Sequence, residues 1–312
     1  MRSYRFVQLD VFTDRAFCGN PLAVFPDTDN LTDAEMQQIA REMNLSETVF
    51  VESARDTRAL RRLRIFTPMR ELPFAGHPVV GTWNLLAREG VVQQPAGGNG
   101  WTRIEQEVGI GTLPVEIEFV GGEPVQVVMT QGKFETPQEV ADVSGRAKVA
   151  RSLGLKPEDL DEGLPVQTVS TGIPVLLVPV RTMAALGRCS IDQAALSEIY
   201  KQSGALSCYA FTCETIGGKP SQAHARLFAP DDGIAEDPAT GSAAGSLSGY
   251  LVHHSALTVE SADGVYNFVV EQGDFIGRPS RIKAQVKGAP GRIEQVRIGG
   301  SSVVVAHGEL LF

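Results

Sequence analysis

Three side chains capable of acid–base chemistry, Glu47, His77 and Asp237, occur in distinctive local patterns. Glu47 precedes an apolar Thr-Val-Phe-Val run, and each of the other two precedes a proline. Burial beside an apolar strand raises the pKa of a carboxyl group, which suits it to remove and return protons near neutral pH. The pattern favours proton-transfer chemistry. The competing interpretations are an exposed loop carboxylate for Glu47 and a simple helix N-cap for Asp237.

Two prolines mark candidate helix starts. Pro78 and Pro238 suit the first turn of a helix, where the missing N–H is no loss. His77 and Asp237 are therefore predicted near the N-caps. The free N–H groups and partial positive charge of a helix start favour anions. Gly76 has no side chain and would let the backbone approach a ligand. Together these features predict a small carboxylate as the substrate.

The chain repeats itself once, at an offset of about 160 residues. Strand–turn–helix units resemble one another in many proteins, but several matches in one order at nearly one offset indicate duplication. In this pairing Glu47 corresponds to Cys208 and His77 to Asp237. Two similar domains are predicted at 1–130 and 131–307, with 308–312 allowed to return to the first and the site in the cleft between them. The matched segments are 19–26 with 172–179, 45–51 with 206–212, 64–68 with 226–230 and 77–81 with 237–241.

The elements of each half follow from local patterns. Thr32 and Glu35 form a capping box before a helix at 33–43, and Ser190 is predicted to open its counterpart at 191–202. Residues 78–88 and 240–253 are apolar or small on all sides, which indicates two buried helices. We therefore expect an α+β fold with strands wrapped around one central helix in each half. Short strands are predicted at 6–12, 22–25, 48–51, 265–270, 281–286, 295–298 and 303–306.

Composition excludes several other classes of protein. The 312 residues carry a net charge of −9, which argues against binding along a nucleic-acid backbone. Apolar residues make up 43%, the range of ordinary globular proteins, and no run approaches the roughly 20 apolar residues of a membrane span. The N-terminus does not resemble a signal peptide, and the four cysteines show no zinc spacing. A cytoplasmic protein with reduced thiols and no metal is expected.

Five motifs together resemble the phenazine-biosynthesis PhzF-like family, and the likeness extends over essentially the whole chain. It implies the diaminopimelate-epimerase-like fold, in which two pseudo-symmetric domains each roll a mixed, mostly antiparallel sheet around a central helix. It also implies a homodimer without a metal or an organic cofactor. The motifs lie in Asp10–Phe25, Leu45–Phe50, Leu72–Pro78, Glu236–Ala243 and Gln272–Ser280.

The resemblance also implies roles for individual residues. Glu47 matches the family's proton-transfer base, and His77 and Asp237 match residues that line its site. The implied reaction is a proton shift without redox change, as in isomerisation of trans-2,3-dihydro-3-hydroxyanthranilate. The predicted substrate-binding residues are Asn20, Ser46, Gly76, Gly241 and Ser242.

Two alternatives remain at this point. An amino-acid epimerase or racemase of the same fold would need a thiol at each helix start, where this chain has Gly76-His77 and Glu236-Asp237 instead. The second alternative is a non-catalytic protein that binds a small ligand. The presence of all three acid–base residues argues against it, because binding alone would not require them.

Overall fold

The computed structural model describes residues 1–140 and 142–312 and divides them into two compact units. Unit 1 contains Met1–Thr130 and Gly299–Phe312, and unit 2 contains Gln131–Ile298. The C-terminal segment that belongs to unit 1 is therefore longer than the expected 308–312. The reason is a strand at Ser302–Leu311 that pairs antiparallel with the first strand along its whole length.

Unit 1 contains two long helices, α1 (Asp33–Met43) and α2 (Gly76–Arg88). Thr32 caps α1 in the predicted capping box, and the helix has the predicted boundaries. The strands of this part of the chain are β1 (Ser3–Val11), β2 (Asn20–Phe25), β3 (Glu47–Glu52), β4 (Arg62–Phe66), β5 (Glu71–Leu72), β6 (Gly100–Val108), β7 (Gly111–Val120) and β8 (Glu123–Thr130).

The strands of unit 1 form a mixed, mostly antiparallel sheet. β1 pairs antiparallel with β2, β2 parallel with β3, and β3 antiparallel with β4. β6, β7 and β8 continue as an antiparallel meander. Helix α2 packs against β1, β2, β3, β7 and β8, and all its residues except Arg88 are buried. Because the sheet surrounds α2 on nearly all sides, the helix has no polar face, as its sequence predicts.

Unit 2 contains the helices α3 (Val143–Ser152), α4 (Met183–Gly187), α5 (Gln193–Ser203) and α6 (Gly241–His253). Helix α5 is capped by Asp192, so the prediction that Ser190 opens it is wrong by two residues. Its strands are β9 (Glu135–Val140), β10 (Val166–Ser170), β11 (Pro174–Pro179), β12 (Ser207–Thr212), β13 (Ser221–Ala229), β14 (Ile234–Asp237), β15 (Val265–Gln272) and β16 (Ser280–Ala289). The chain then passes through β17 (Arg292–Gly300) into unit 1, to which β18 (Ser302–Leu311) belongs.

The strand pairing of unit 2 repeats that of unit 1. β10 pairs antiparallel with β11, β11 parallel with β12, and β12 antiparallel with β13. β13 and β15 are parallel and β15 and β16 antiparallel, while α6 packs against β10, β11, β15 and β16. The fold is α+β, and each unit wraps a mixed sheet around its own buried helix.

The structural repeat corrects two pairings expected from sequence. Thr48 lies opposite Phe66 and Cys208 lies opposite Phe228, so the counterpart of Glu47 is Ser207 rather than Cys208. The central helices each have 13 residues, so the counterpart of His77, at the second position of its helix, is Ser242 rather than Asp237. Unit 2 carries extra residues between its Arg-x-Phe strand and its central helix, and a constant sequence offset misses them.

Candidate active site

Glu47 and His77 meet in unit 1. Glu47 begins β3 and His77 is the second residue of α2, and Oε2 of Glu47 lies 3.4 Å from Nε2 of His77. The two side chains are 13% and 5% exposed, so little water reaches them. Within the described part of the chain, Nε2 of His77 has no hydrogen-bond partner. The pair is therefore a protected carboxylate beside an imidazole nitrogen that can still take a ligand.

The electrostatics of this pair follow from burial. Burial lowers the pKa of His77 to about 3, because the apolar surroundings disfavour its charged form. At neutral pH the ring is uncharged, and the contact is not an ion pair. A neutral ring provides no positive charge to pair with the carboxylate of Glu47.

The neighbouring polar residues of unit 1 are also organised. Asn20, the fully buried first residue of β2, accepts a 2.9 Å hydrogen bond at Oδ1 from the hydroxyl of Ser46. Ser46 directly precedes Glu47, which lies opposite Leu22 in the parallel β2–β3 pair. Predicted substrate-binding residues Asn20 and Ser46 thus contact each other at the end of β3 that carries Glu47.

The two central helices differ from the other α-helices at their first turns. In α1, α3, α4 and α5 the N-cap side chain accepts a hydrogen bond from the helix backbone. The N-caps of α2 and α6 are Ala75 and Thr240, and within the residues described neither makes such a bond. The first turns of α2 and α6 therefore lack the side-chain cap that satisfies backbone N–H groups in the other four helices. Gly76 and Gly241 are the first residues of these helices, and Ser242 follows Gly241.

Only one of the two prolines lies at a helix start as predicted. Pro78 lies in the first turn of α2, where Ala75 is the N-cap and His77 the second helical residue, so His77 does lie near the N-cap. Pro238 lies outside α6, and Asp237 is the last residue of β14. Asp237 is nevertheless tied to the helix start, because the hydroxyl of Thr240 donates to its Oδ2. The side chain of Asp237 is buried next to the residue that caps α6.

In each unit an arginine–glutamate pair lies close to the segment that precedes the central helix. In unit 2 the guanidinium of Arg226 binds Glu236 through two hydrogen bonds of 2.9 and 2.6 Å and lies over Phe228. In unit 1 Arg64 binds Glu71 through two bonds of 2.7 Å. Glu236 directly precedes Asp237, so its bond holds the end of β14. The sequence repeat contained both arginines, but not their partners, because the spacing to the glutamate differs between the halves.

Sequence reasoning assigned no role to Gln272, Thr240 or Tyr209, which the structure connects to Asp237. Gln272 and Thr240 lie in two of the family motifs named above, and membership of those motifs was the only sequence signal that could have identified them. For cofactors and metals, residues 1–140 and 142–312 contain no group of three or more His, Cys, Asp or Glu side chains placed to hold a metal ion. In the same residues, no helix is long and apolar enough to cross a membrane.

Comparisons with known proteins place the chain in a family. The model of the phenazine biosynthesis-like PhzC/PhzF family matches residues 9–308. A trans-2,3-dihydro-3-hydroxyanthranilate isomerase of Pseudomonas aeruginosa is 35% identical over 98% of both chains. An uncharacterised isomerase of Clostridium acetobutylicum is 34% identical over 100% of this chain and 99% of its own.

Solved structures agree with the sequence comparisons. A PhzF-family protein of Bacillus anthracis superposes over 100% of both chains with a TM-score of 0.86 and 29% identity. A hydroxyproline epimerase of Agrobacterium vitis shares the fold, with a TM-score of 0.64 at 13% identity over 99% of this chain and 91% of its own. The chain belongs to the phenazine biosynthesis-like PhzC/PhzF family of isomerases.

Proposed function

We propose that this protein catalyses a proton shift within a small unsaturated carboxylate, with Glu47 as the base. The observation that carries the proposal is the contact between Glu47 and the neutral, buried ring of His77. Shielding a carboxyl group from water favours its neutral form, and a neutral neighbour does not oppose this, which suits the group to take and return protons near neutral pH.

The proposed reaction has two proton transfers and no net loss of atoms. Glu47 takes a proton from a carbon made acidic by neighbouring unsaturation, and the electron pair of the broken C–H bond shifts into that unsaturated system. The carboxylic acid of Glu47 then gives a proton to a different carbon. Nε2 of His77 contacts the substrate or relays the proton, because it lies beside Oε2 of Glu47 and has no partner of its own among the described residues.

The proposed substrate is trans-2,3-dihydro-3-hydroxyanthranilate or a related small acid. Relatives at 33–35% identity bear the name of the isomerase for that compound. The uncapped starts of α2 and α6 suit a carboxylate, and Gly76, Gly241 and Ser242 would supply their N–H groups. Asn20 and Ser46 are proposed as further substrate contacts. Asp237 is proposed to orient a polar group of the same substrate.

The test follows deuterium by proton NMR. Wild-type protein in deuterated water is incubated with trans-2,3-dihydro-3-hydroxyanthranilate, and the carbon that gains deuterium and the product formed are recorded. Glu47→Gln keeps the size of the side chain and removes its basicity, so we expect at least about a hundredfold loss of turnover. The matched control is Glu42→Gln on the exposed surface of α1, which should retain wild-type turnover. Full activity in Glu47→Gln would overturn the proposal.

We further propose a cytoplasmic homodimer, as the family resemblance implies. The four cysteines are free thiols, which fits a reducing compartment. Light scattering coupled to size-exclusion chromatography should give the mass of two chains, and a mass of one chain would exclude the dimer.

A further inference from the structure

The fully buried side chain of Gln272 makes four hydrogen bonds around the residue pair Asp237 and Thr240. Its Oε1 accepts from the hydroxyl of Tyr209 at 2.7 Å and from the backbone N–H of Thr240 at 3.1 Å. Its Nε2 donates to the backbone carbonyl of Asp237 at 2.7 Å and to Oγ1 of Thr240 at 3.2 Å. Two atoms of one amide group thus meet four atoms of neighbouring residues.

Two of these partners fix the orientation of the amide. A backbone N–H can only donate and a backbone carbonyl can only accept. Rotating the amide by 180° would place its NH₂ against the N–H of Thr240 and its oxygen against the carbonyl of Asp237. The observed orientation is therefore the one that satisfies both backbone groups, and it does not depend on the position of any hydroxyl hydrogen.

The fixed amide in turn fixes two hydroxyl hydrogens. Tyr209 faces an acceptor, so it must donate its hydrogen to Oε1 of Gln272. Burial raises the pKa of Tyr209, which keeps that hydrogen in place. Oγ1 of Thr240 faces a donor, so it accepts from Nε2 of Gln272. The single hydrogen of Thr240 is then directed to its other partner, Oδ2 of Asp237.

We propose that Tyr209, Gln272 and Thr240 form a directed hydrogen-bond relay that positions Asp237 and keeps it an ionised acceptor. A hydroxyl that donates to a carboxylate stabilises the charged form of that carboxylate. Thr240 has a single hydroxyl hydrogen, so while it donates to Asp237 it cannot donate to another group. The three are positioning residues for the reaction proposed above, and the inference rests on that proposal for its catalytic consequence.

A second anchor supports the same segment. The hydroxyl of Ser280 lies 2.9 Å from the carbonyl oxygen of Pro238 and 2.8 Å from that of Gln272. The backbone that follows Asp237 is therefore held from β15 and β16, while the relay acts on its carboxylate. A change at Thr240 that removes only the hydroxyl leaves this backbone anchor in place.

The kinetic test compares two substitutions at one position. Thr240→Val keeps the shape of the side chain and removes the hydroxyl, and Thr240→Ser keeps the hydroxyl. Thr240 makes no side-chain cap on α6 within the residues described, so neither change removes a helix cap. We expect kcat to fall about ten- to hundredfold in Thr240→Val and to stay within about threefold of wild type in Thr240→Ser. Thr102→Val, which loses an exposed hydroxyl bond to Gln93, is the control and should retain activity.

The outcomes separate this inference from the proposed function. If Glu47→Gln is inactive while Thr240→Val has wild-type kcat, the relay is overturned and the proposed base stands. Neutron diffraction from crystals exchanged into deuterated water provides a readout that does not depend on any substrate. Deuterium between Thr240 Oγ1 and Asp237 Oδ2, and between Tyr209 and Oε1 of Gln272, is expected, whereas a Thr240 deuterium directed elsewhere excludes the relay.

Discussion

Nε2 of His77 lies 3.4 Å from Oε2 of Glu47, and the ring of His77 is almost completely buried. These two facts define the chemistry of the pair, because burial keeps the ring neutral and leaves a carboxylate beside it without an opposing charge from that ring. The same burial has a consequence for stability that can be measured without knowing the substrate.

His77 should make the protein less stable in acid. Its pKa falls from 6.5 to about 3 on folding, so between these values the unfolded chain binds the extra proton. Stability is therefore intact above pH 6.5 and decreases as the pH is lowered towards 3, by about 1.4 kcal/mol per pH unit. Relative to His77→Gln, wild type should lose about 2 kcal/mol more unfolding free energy between pH 7 and pH 5 in urea titrations.

The control for this prediction is His307→Gln, because His307 is exposed. Its acid sensitivity should match that of wild type. Equal losses of stability in wild type and His77→Gln would show that the ring accepts a proton in the folded protein.

Arg226 should be essential for stability. Its side chain is 10% exposed and its partner Glu236 is 11% exposed, so a missing partner leaves a charge in a poorly hydrated site. Arg226→Met should lower the unfolding free energy by about 3–5 kcal/mol. Arg103→Met, at an exposed pair with Glu105, should cost less than about 1 kcal/mol. Chemical unfolding at pH 7 measures both, and similar small losses would contradict the prediction.

Gly273 allows close approach to the loop that follows Asp237. It has a φ of +83°, and a Cβ there would lie 2.6 Å from the carbonyl oxygen of Pro238 and closer still to that of Arg278. Gly277 has a φ of +72°, but a Cβ added there would lie in open space. Gly277→Ala should cost about 1 kcal/mol for the left-handed backbone alone, and Gly273→Ala about 1–3 kcal/mol more through crowding.

Activity provides the second readout at this pair of glycines. Gly273→Ala should also reduce kcat, since it displaces the segment that carries Asp237 in the proposed site, whereas Gly277→Ala should not. Equal unfolding energies and equal kcat in the two variants would count against a tightly packed Pro238 segment.

Thiol reagents distinguish the proposed mechanism from a thiol-dependent epimerase. Cys208 is completely buried and burial raises the pKa of its thiol, while Cys213 is exposed. Burial also raises the pKa of the Cys213 thiol, so its reaction with a disulfide reagent at pH 8 should be slower than that of a free cysteine. Because Cys213 alone among the four cysteines is exposed, one thiol per native chain should react, and the reaction should disappear in Cys213→Ser. Turnover should survive the modification, and loss of activity in modified wild type but not in modified Cys213→Ser would implicate that thiol.

The predictions that succeeded from sequence were local or periodic. The capping box at Thr32 and Glu35 fixed the start of α1 because both partners lie within four residues. The buried central helices were identified because a helix enclosed by a sheet must be apolar on all faces. The structure also brings Glu47 and His77 into contact, while the roles that the family motifs imply for them stay predictions.

The errors arose where tertiary structure determines the outcome. Pro238 has the local features of a helix start, but β14 pairs with β13 as far as Asp237 and delays α6 to Gly241. The partners of Gln272 lie 32 to 63 residues away along the chain, so no local spacing predicts them. The return of β18 to β1 joins the two ends of the chain, and an alternating pattern in each strand says nothing about its neighbour.

That return has a consequence for biosynthesis. Ser3 lies opposite Leu311 and Val11 opposite Ser302, so β1 pairs with a strand that is synthesised only after the whole of unit 2. Unit 2 is a continuous stretch of chain, from Gln131 to Ile298, and can fold while β18 is still missing. Until β18 emerges from the ribosome, one edge of β1 offers unpaired backbone groups to any other nascent strand. Unit 1 is thus begun before unit 2 but completed after it, and a stop codon just before Ser302 would leave its sheet open at β1.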